Sequence, residues 1–265
     1  MGVGAVFITT GIIYGVACLL YSAYLVRGNR AATKHAHRVL FVAVLSHVTY
    51  LMLDFLTPTP PMGLLHQTLT GISLGIVIAF LLVAPRRKGM SVLGSFITPV
   101  ALFFFLGSGL GRSVHHVSDD VRSMLVPVHI SVNVLGLVAF AFAFGAALAY
   151  MIQERQLRQK KLTGMFQRLP ALDVLDTVGL RAVSVGFPLL TVGIVTGAFW
   201  AFRIHPGAPI ISTGQAFALV AWVLFAGVLL LRMAAGWQGR RAAIGTIVGF
   251  LCTAAVLVGY VGASS

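Results

Sequence analysis

The chain has 265 residues, 58% of them in the AVILMFWYC set and only 9% charged, with a mean hydropathy of +0.96. A soluble globular chain carries about 25% charged residues, so a core in water is excluded, as are disorder, a coiled coil and a disulfide scaffold. The net charge of +13 comes from 19 Lys and Arg against 6 Asp and Glu, but the basic residues form short clusters between apolar runs, which is a topology signal and not a nucleic-acid surface.

The class that remains is an all-α, polytopic membrane protein. A spanning helix needs roughly 20 apolar residues, and eight segments qualify: 2–26, 38–57, 64–84, 90–110, 125–151, 182–203, 214–233 and 241–262. The first starts without a basic n-region or an AxA cleavage site, so it reads as a retained helix and not a signal peptide. Sixteen of the basic residues fall in the odd-numbered links and three, Arg112, Arg122 and Arg203, in the even-numbered ones. On the positive-inside rule the odd links are cytoplasmic and both termini lie on the outer side of a plasma or inner membrane.

The fifth link, 154–181, is the largest piece expected outside the membrane. Its second part, LPALDVLDTVGLRA, places apolar residues at 169, 172, 175, 178 and 180, the spacing of an amphipathic interfacial helix. Gly71 with Gly75, and Gly145 with Ala149, have the small-xxx-small spacing that brings helices close. Cys18 and Cys252 stand alone in apolar runs, with no CxxC to suggest exchange or zinc. Walker A, GxGxxG, HExxH and nucleophile-elbow patterns are absent. Asp54, near the outer end of the second span, is too little for a proton-coupled transporter, which needs carboxylates or an ion pair at mid-membrane.

The histidines carry more. His35 and His37 belong to the basic first link and are expected to be solvated or at lipid headgroups. His47, His66, His115, His116, His129 and His205 all fall in the outer half. Imidazole in hydrocarbon needs a partner. For His47 and His129 two readings stay open: an interhelical hydrogen bond, for example to Ser46, Ser131 or Asn133, or ligation of a haem iron or other metal. Trp200, Phe199 and Phe202 end the sixth span and Trp222 lies in the seventh. They form either an aromatic belt or a wall against a flat macrocycle. Trp237, in AAGWQGRR, reads as an interface anchor.

Three stretches resemble a known family. PVHISVNVLGLVAFAFAFGAALAYMIQERQLRQKK, LPALDVLDTVGLRAVSVGFPLLTVGIVTGAFWA and AWVLFAGVLLLRMAAGWQGRRAAIGTIVGFLCTAAVLVGY are similar to the cytochrome c assembly family, which includes CcsA, ResC, CcmC and the HemX/YpjD-type proteins. The best likeness is to the short, eight-span HemX/YpjD-like branch, and it covers about 125–262. The resemblance implies haem handling on the outer face of the membrane, with the haem expected to be of b type. It transfers His129 as an iron ligand and His47 as a plausible second. His66 and His205 become secondary or transient ligands, and Trp200 and Trp222 contacts to the ring. The family's W-G-x-x-W-x-W-D motif is missing, so a complete haem lyase is not implied. The partners expected are haem, membrane lipid, and another assembly subunit or a cytoplasmic tetrapyrrole-biosynthesis enzyme. Two other functions stay in view: a regulator of tetrapyrrole synthesis acting through the fifth link near Arg158 and Arg168, and a small-molecule or haem transporter.

Overall fold

The computed structural model describes residues 2–28, 30–57, 63–86, 89–109, 125–161, 164–204 and 213–262. Among them every regular element is helical: α1 Val3–Arg27, α2 Arg30–Leu56, α3 Leu64–Val83, α4 Gly94–Ser108, α5 Leu125–Arg158, α6 Met165–Arg168, α7 Leu172–Ile204, α8 Thr213–Ala235 and α9 Arg240–Gly262. A 3-10 turn, Met90–Leu93, leads into α4. Seven stretches among the described residues are long and apolar enough to cross a membrane: α1, most of α2, α3, Met90–Ser108, and most of α5, α7 and α8. The expected eighth segment, 241–262, forms α9, whose 23 residues extend about 34 Å at 1.5 Å per residue.

The chain divides into two compact units: residues 1–114 with 151–174, and residues 115–150 with 175–265. In the first unit α1 packs on α2 and α4, and α3 packs on α4. Its core follows from helical periodicity. Thr10, Tyr14, Ala17, Tyr21 and Leu25 are buried along one stripe of α1, and Ala32, Ala36, Leu40, Ala43, His47 and Tyr50 along one stripe of α2. Both stripes step by three or four residues, so each helix shows one face to protein. The large apolar residues off the stripes, such as Ile8, Leu19, Phe41, Met52 and Phe55, are exposed, as lipid-facing positions require.

Gly94 lets α4 approach α1 closely, since a Cβ there would lie 2.6–2.8 Å from the Tyr21 ring. Gly28 ends α1 in the left-handed region at φ 74°, and Arg168 of α6 seats its guanidinium there. It donates to Leu25 O at 2.8 Å, meeting a carbonyl that the helix end leaves unpaired. Leu169 and Pro170 are buried. Arg168 is thus tied to α1 and is not part of a free loop.

In the second unit α8 and α9 pack as neighbours. Phe140 of α5 stacks on Phe225 of α8, and Phe144 on Phe250 of α9, with centroids 3.9 and 4.6 Å apart. Gly186 sits against the Phe140 ring, where a Cβ would come within 2.6 Å. The residues read as an interfacial helix do not stand apart: from Leu172 onward they are the first three turns of α7. Asp176 on that extension accepts from both terminal nitrogens of Arg232 near the end of α8, Nη1 at 3.0 Å, and from Gly239 N at 3.2 Å. Such a pair needs good geometry and extra hydrogen bonds to offset desolvation, and the bidentate contact with the Gly239 donor supplies both. The link between α8 and α9 is closed by Gly236 at φ 61°, a left-handed residue just past the helix end, and by Trp237 N donating to Leu231 O at 3.2 Å.

Candidate functional site

Each unit has its own arrangement of imidazoles. In the first, three fully buried tyrosines, Tyr14, Tyr21 and Tyr50, need partners for their phenols, and each finds a histidine. Tyr14 Oη lies 3.0 Å from His47 Nδ1, Tyr21 Oη 2.8 Å from His37 Nδ1, and Tyr50 Oη 2.9 Å from His66 Nε2. His37 is therefore half-buried between Tyr21 and Phe80 and not solvated as its place in a basic link suggested. His35 is exposed, as expected.

His47 and His66 have no solvent-exposed surface, yet their surroundings differ. His66 Nδ1 lies 2.8 Å from Ser108 O. A carbonyl only accepts, so Nδ1 carries the proton and Nε2 accepts from Tyr50. Both ring nitrogens are satisfied. His47 has the Phe105 ring at 4.7 Å, nearly edge-on, and Tyr14 on Nδ1, but its Nε2 is buried with no hydrogen-bond partner. Leaving a buried polar atom unpaired costs about 1–3 kcal/mol. Ser46, one of the partners considered for His47, instead hydrogen-bonds Thr10 across the α1–α2 contact at 2.7 Å.

In the second unit His129 is half-buried in the opening turns of α5. Its Nδ1 lies 2.9 Å from Thr196 Oγ1 of α7. Asn133, one helical turn on, donates Nδ2 to His129 O at 2.7 Å and stands 3.2 and 3.3 Å from the two ring nitrogens. Gly193 and Gly197 give α7 the room: a Cβ at Gly197 would reach His129 Cε1 at 2.9 Å, and one at Gly193 would overlap the Asn133 amide. This Gly-xxx-Gly pair and Thr196 were missed by the sequence reading, although the four-residue spacing was visible. Trp222 is half-buried, donates Nε1 to Thr191 Oγ1 at 3.0 Å and lies 5.5 Å from Phe187, tilted by 31°. Trp200 lies on α7, while Phe199 and Phe202 near it are exposed. His115, His116 and His205 lie outside the described residues. Among the described residues no three His, Cys, Asp or Glu side chains gather as a metal site.

The family model described as Cytochrome C assembly protein matches residues 32–262, most of the chain. The chain belongs to the cytochrome c assembly family. Similar relatives carry the name cytochrome c biogenesis protein CcsA. The one from Synechococcus elongatus is 43% identical over 84 residues, 32% of this chain and 26% of that protein. The one from a second Synechococcus is 28% identical over 196 residues, 66% of this chain and 62% of the relative. A Synechocystis relative is 42% identical over 84 residues, 32% of this chain and 25% of its own length. The chain thus spans from about a quarter to about three fifths of the relatives it matches. Family membership and the seven apolar helices among the described residues make this a multi-pass membrane protein, of the inner membrane in bacteria.

Proposed function

We propose that the chain binds haem toward the outer leaflet and assists cytochrome c maturation there, with His129 and His47, one in each unit, each a separate candidate for the iron ligand. The observation that carries this reading is His47 Nε2, an imidazole nitrogen wholly buried among aromatic rings with nothing to bond. The donor set suits the cargo, since haem iron takes neutral imidazole as an axial ligand and a flat apolar ring favours aromatic walls.

The chain's own residues then divide the work. Tyr14 and Phe105 hold the His47 ring. Thr196 and Asn133 hold His129. Trp222, steadied by Thr191, offers a ring contact, and Trp200 joins it on the family resemblance alone. His66 keeps its nitrogens occupied by Tyr50 and Ser108, so it serves as a ligand only after Tyr50 lets go. His205 and b-type haem remain part of the proposal on the family resemblance alone.

The test is an absorption spectrum of the full chain in detergent, as purified and after adding haem. A Soret band is expected, weakened strongly in His47→Ala and in His129→Ala and little in His66→Gln. A colourless protein that also takes up no added haem overturns the reading.

A further inference from the structure

We propose that the outward row of α2 in the first unit is a seat for one anionic phospholipid, with its phosphate held by Lys34 and Arg38 and one acyl chain laid along Phe41, Leu45 and Val48. This surface lies apart from the buried imidazoles, and its role does not depend on the haem reading.

The row comes from helical spacing. Lys34, Arg38, Phe41, Leu45, Val48 and Met52 follow one another by alternating steps of four and three, which keeps them nearly in line along a helix. All six are exposed, on the side of α2 away from the buried stripe of Ala36, Leu40, Ala43 and His47. The row changes character once: its first two members are cations and the rest are apolar. His35, beside Lys34, is exposed as well and adds a nitrogen donor. Arg38 stands eight residues, about 12 Å, inside the start of α2 at Arg30. Its neighbour His37 meets Tyr21, six residues before α1 ends. The cations thus sit on the wall of the α1–α2 pair and not in the link that joins them. From Arg38 to Val48 is about 15 Å, half of a hydrocarbon core of about 30 Å, so one acyl chain of a single leaflet covers that run.

Charge selects the occupant. Among the described residues the ion pairs are Glu154–Arg158 and Asp176–Arg232, and neither Lys34 nor Arg38 belongs to one. The row itself holds no carboxylate. A second copy inserted the same way up and packed symmetrically along this row would set Lys34 and Arg38 against their own counterparts, where like charges repel. A zwitterionic lipid brings a cation with its phosphate, whereas an anionic one brings none. Snorkelling alone would extend both side chains toward water with no preference among headgroups, so headgroup selectivity is the property that marks a seat.

The experiment replaces Phe41 by the photocrosslinking analogue benzoylphenylalanine in the full chain, held in nanodiscs of phosphatidylglycerol and phosphatidylcholine in equal parts, and reads the adducts by mass. Adducts should be enriched in phosphatidylglycerol over the bulk ratio. Each of Lys34→Gln and Arg38→Gln should lower that enrichment about fivefold, the attraction of one basic residue to an anionic membrane surface, and the double variant should return it to the bulk ratio. High salt should weaken it with both cations in place, a readout that survives even if a charge variant fails to fold. The same crosslinker at Leu19, an exposed position on α1, should report the bulk ratio. A bulk ratio at Phe41, an enrichment indifferent to both charges and to salt, equal enrichment at Leu19, or adducts to a second copy in place of lipid overturns the inference.

Discussion

Residues 1–114 with 151–174 enclose His47 and His66 completely, whereas residues 115–150 with 175–265 leave His129 half-exposed and place their ion pair, Asp176 with Arg232, near helix ends. The first unit satisfies buried polarity with neutral phenol–imidazole pairs. The second uses short hydroxyl and amide contacts on glycine-notched helices, plus one pair of full charges. Neutral pairs can sit anywhere along a span. A charge pair is tolerable only where water is close before assembly. The difference teaches that full charges are kept to helix ends, as with Asp176–Arg232 and the more exposed Glu154–Arg158 of the first unit, while neutral pairs serve the buried stripes.

Mutations sharpen this contrast in order of size. Asp176→Ala should have the largest effect, because it leaves Arg232, 13% exposed, without its carboxylate, a loss of roughly 3–5 kcal/mol. A thermal unfolding midpoint unchanged from the wild type would place the pair in water after all. His66→Ala comes next: it removes the hydrogen bonds to Tyr50 Oη and Ser108 O together, at about 1–3 kcal/mol in all. Denaturant titration in mixed micelles should show it less stable than His129→Ala, and equal losses would erase the difference in burial. Gly94→Ala drives a methyl into the Tyr21 ring and should cost about 1–3 kcal/mol by overpacking. The smallest effect is that of Trp222→Phe, which forfeits the hydrogen bond to Thr191 for about 1 kcal/mol. That change is best seen as altered cross-linking between α7 and α8.

Most of the helical layout was legible because a bilayer imposes a length. The expected 2–26 became Val3–Arg27, and 64–84 became Leu64–Val83. Ends were missed where polar residues continue a helix beyond the apolar run. α2 starts at Arg30 and not at residue 38, since Ala32 and Ala36 are already on its buried stripe. α7 starts ten residues before the expected 182 because Asp176 is held by Arg232, 56 residues away in the chain. The histidines were legible as groups needing partners, but mostly not the partners. Asn133 was found because it lies one turn from His129. Tyr14 was not, because 33 residues separate it from His47 and no local period links α1 to α2. Nor could spacing tell His66, filled at both nitrogens, from His47, filled at one, since that depends on where Tyr50 and Ser108 arrive.

The Asp176–Arg232 contact also constrains how the chain is built. At roughly 5–20 residues per second of synthesis, the 56 residues between them take on the order of three to eleven seconds to emerge. During that delay the carboxylate lacks its Arg232 partner. Its location in the second turn of α7 lets it wait at the aqueous border while the following helix is threaded in. The same acid two turns deeper would have to enter hydrocarbon alone, so the order of translation itself favours a latch at the helix ends.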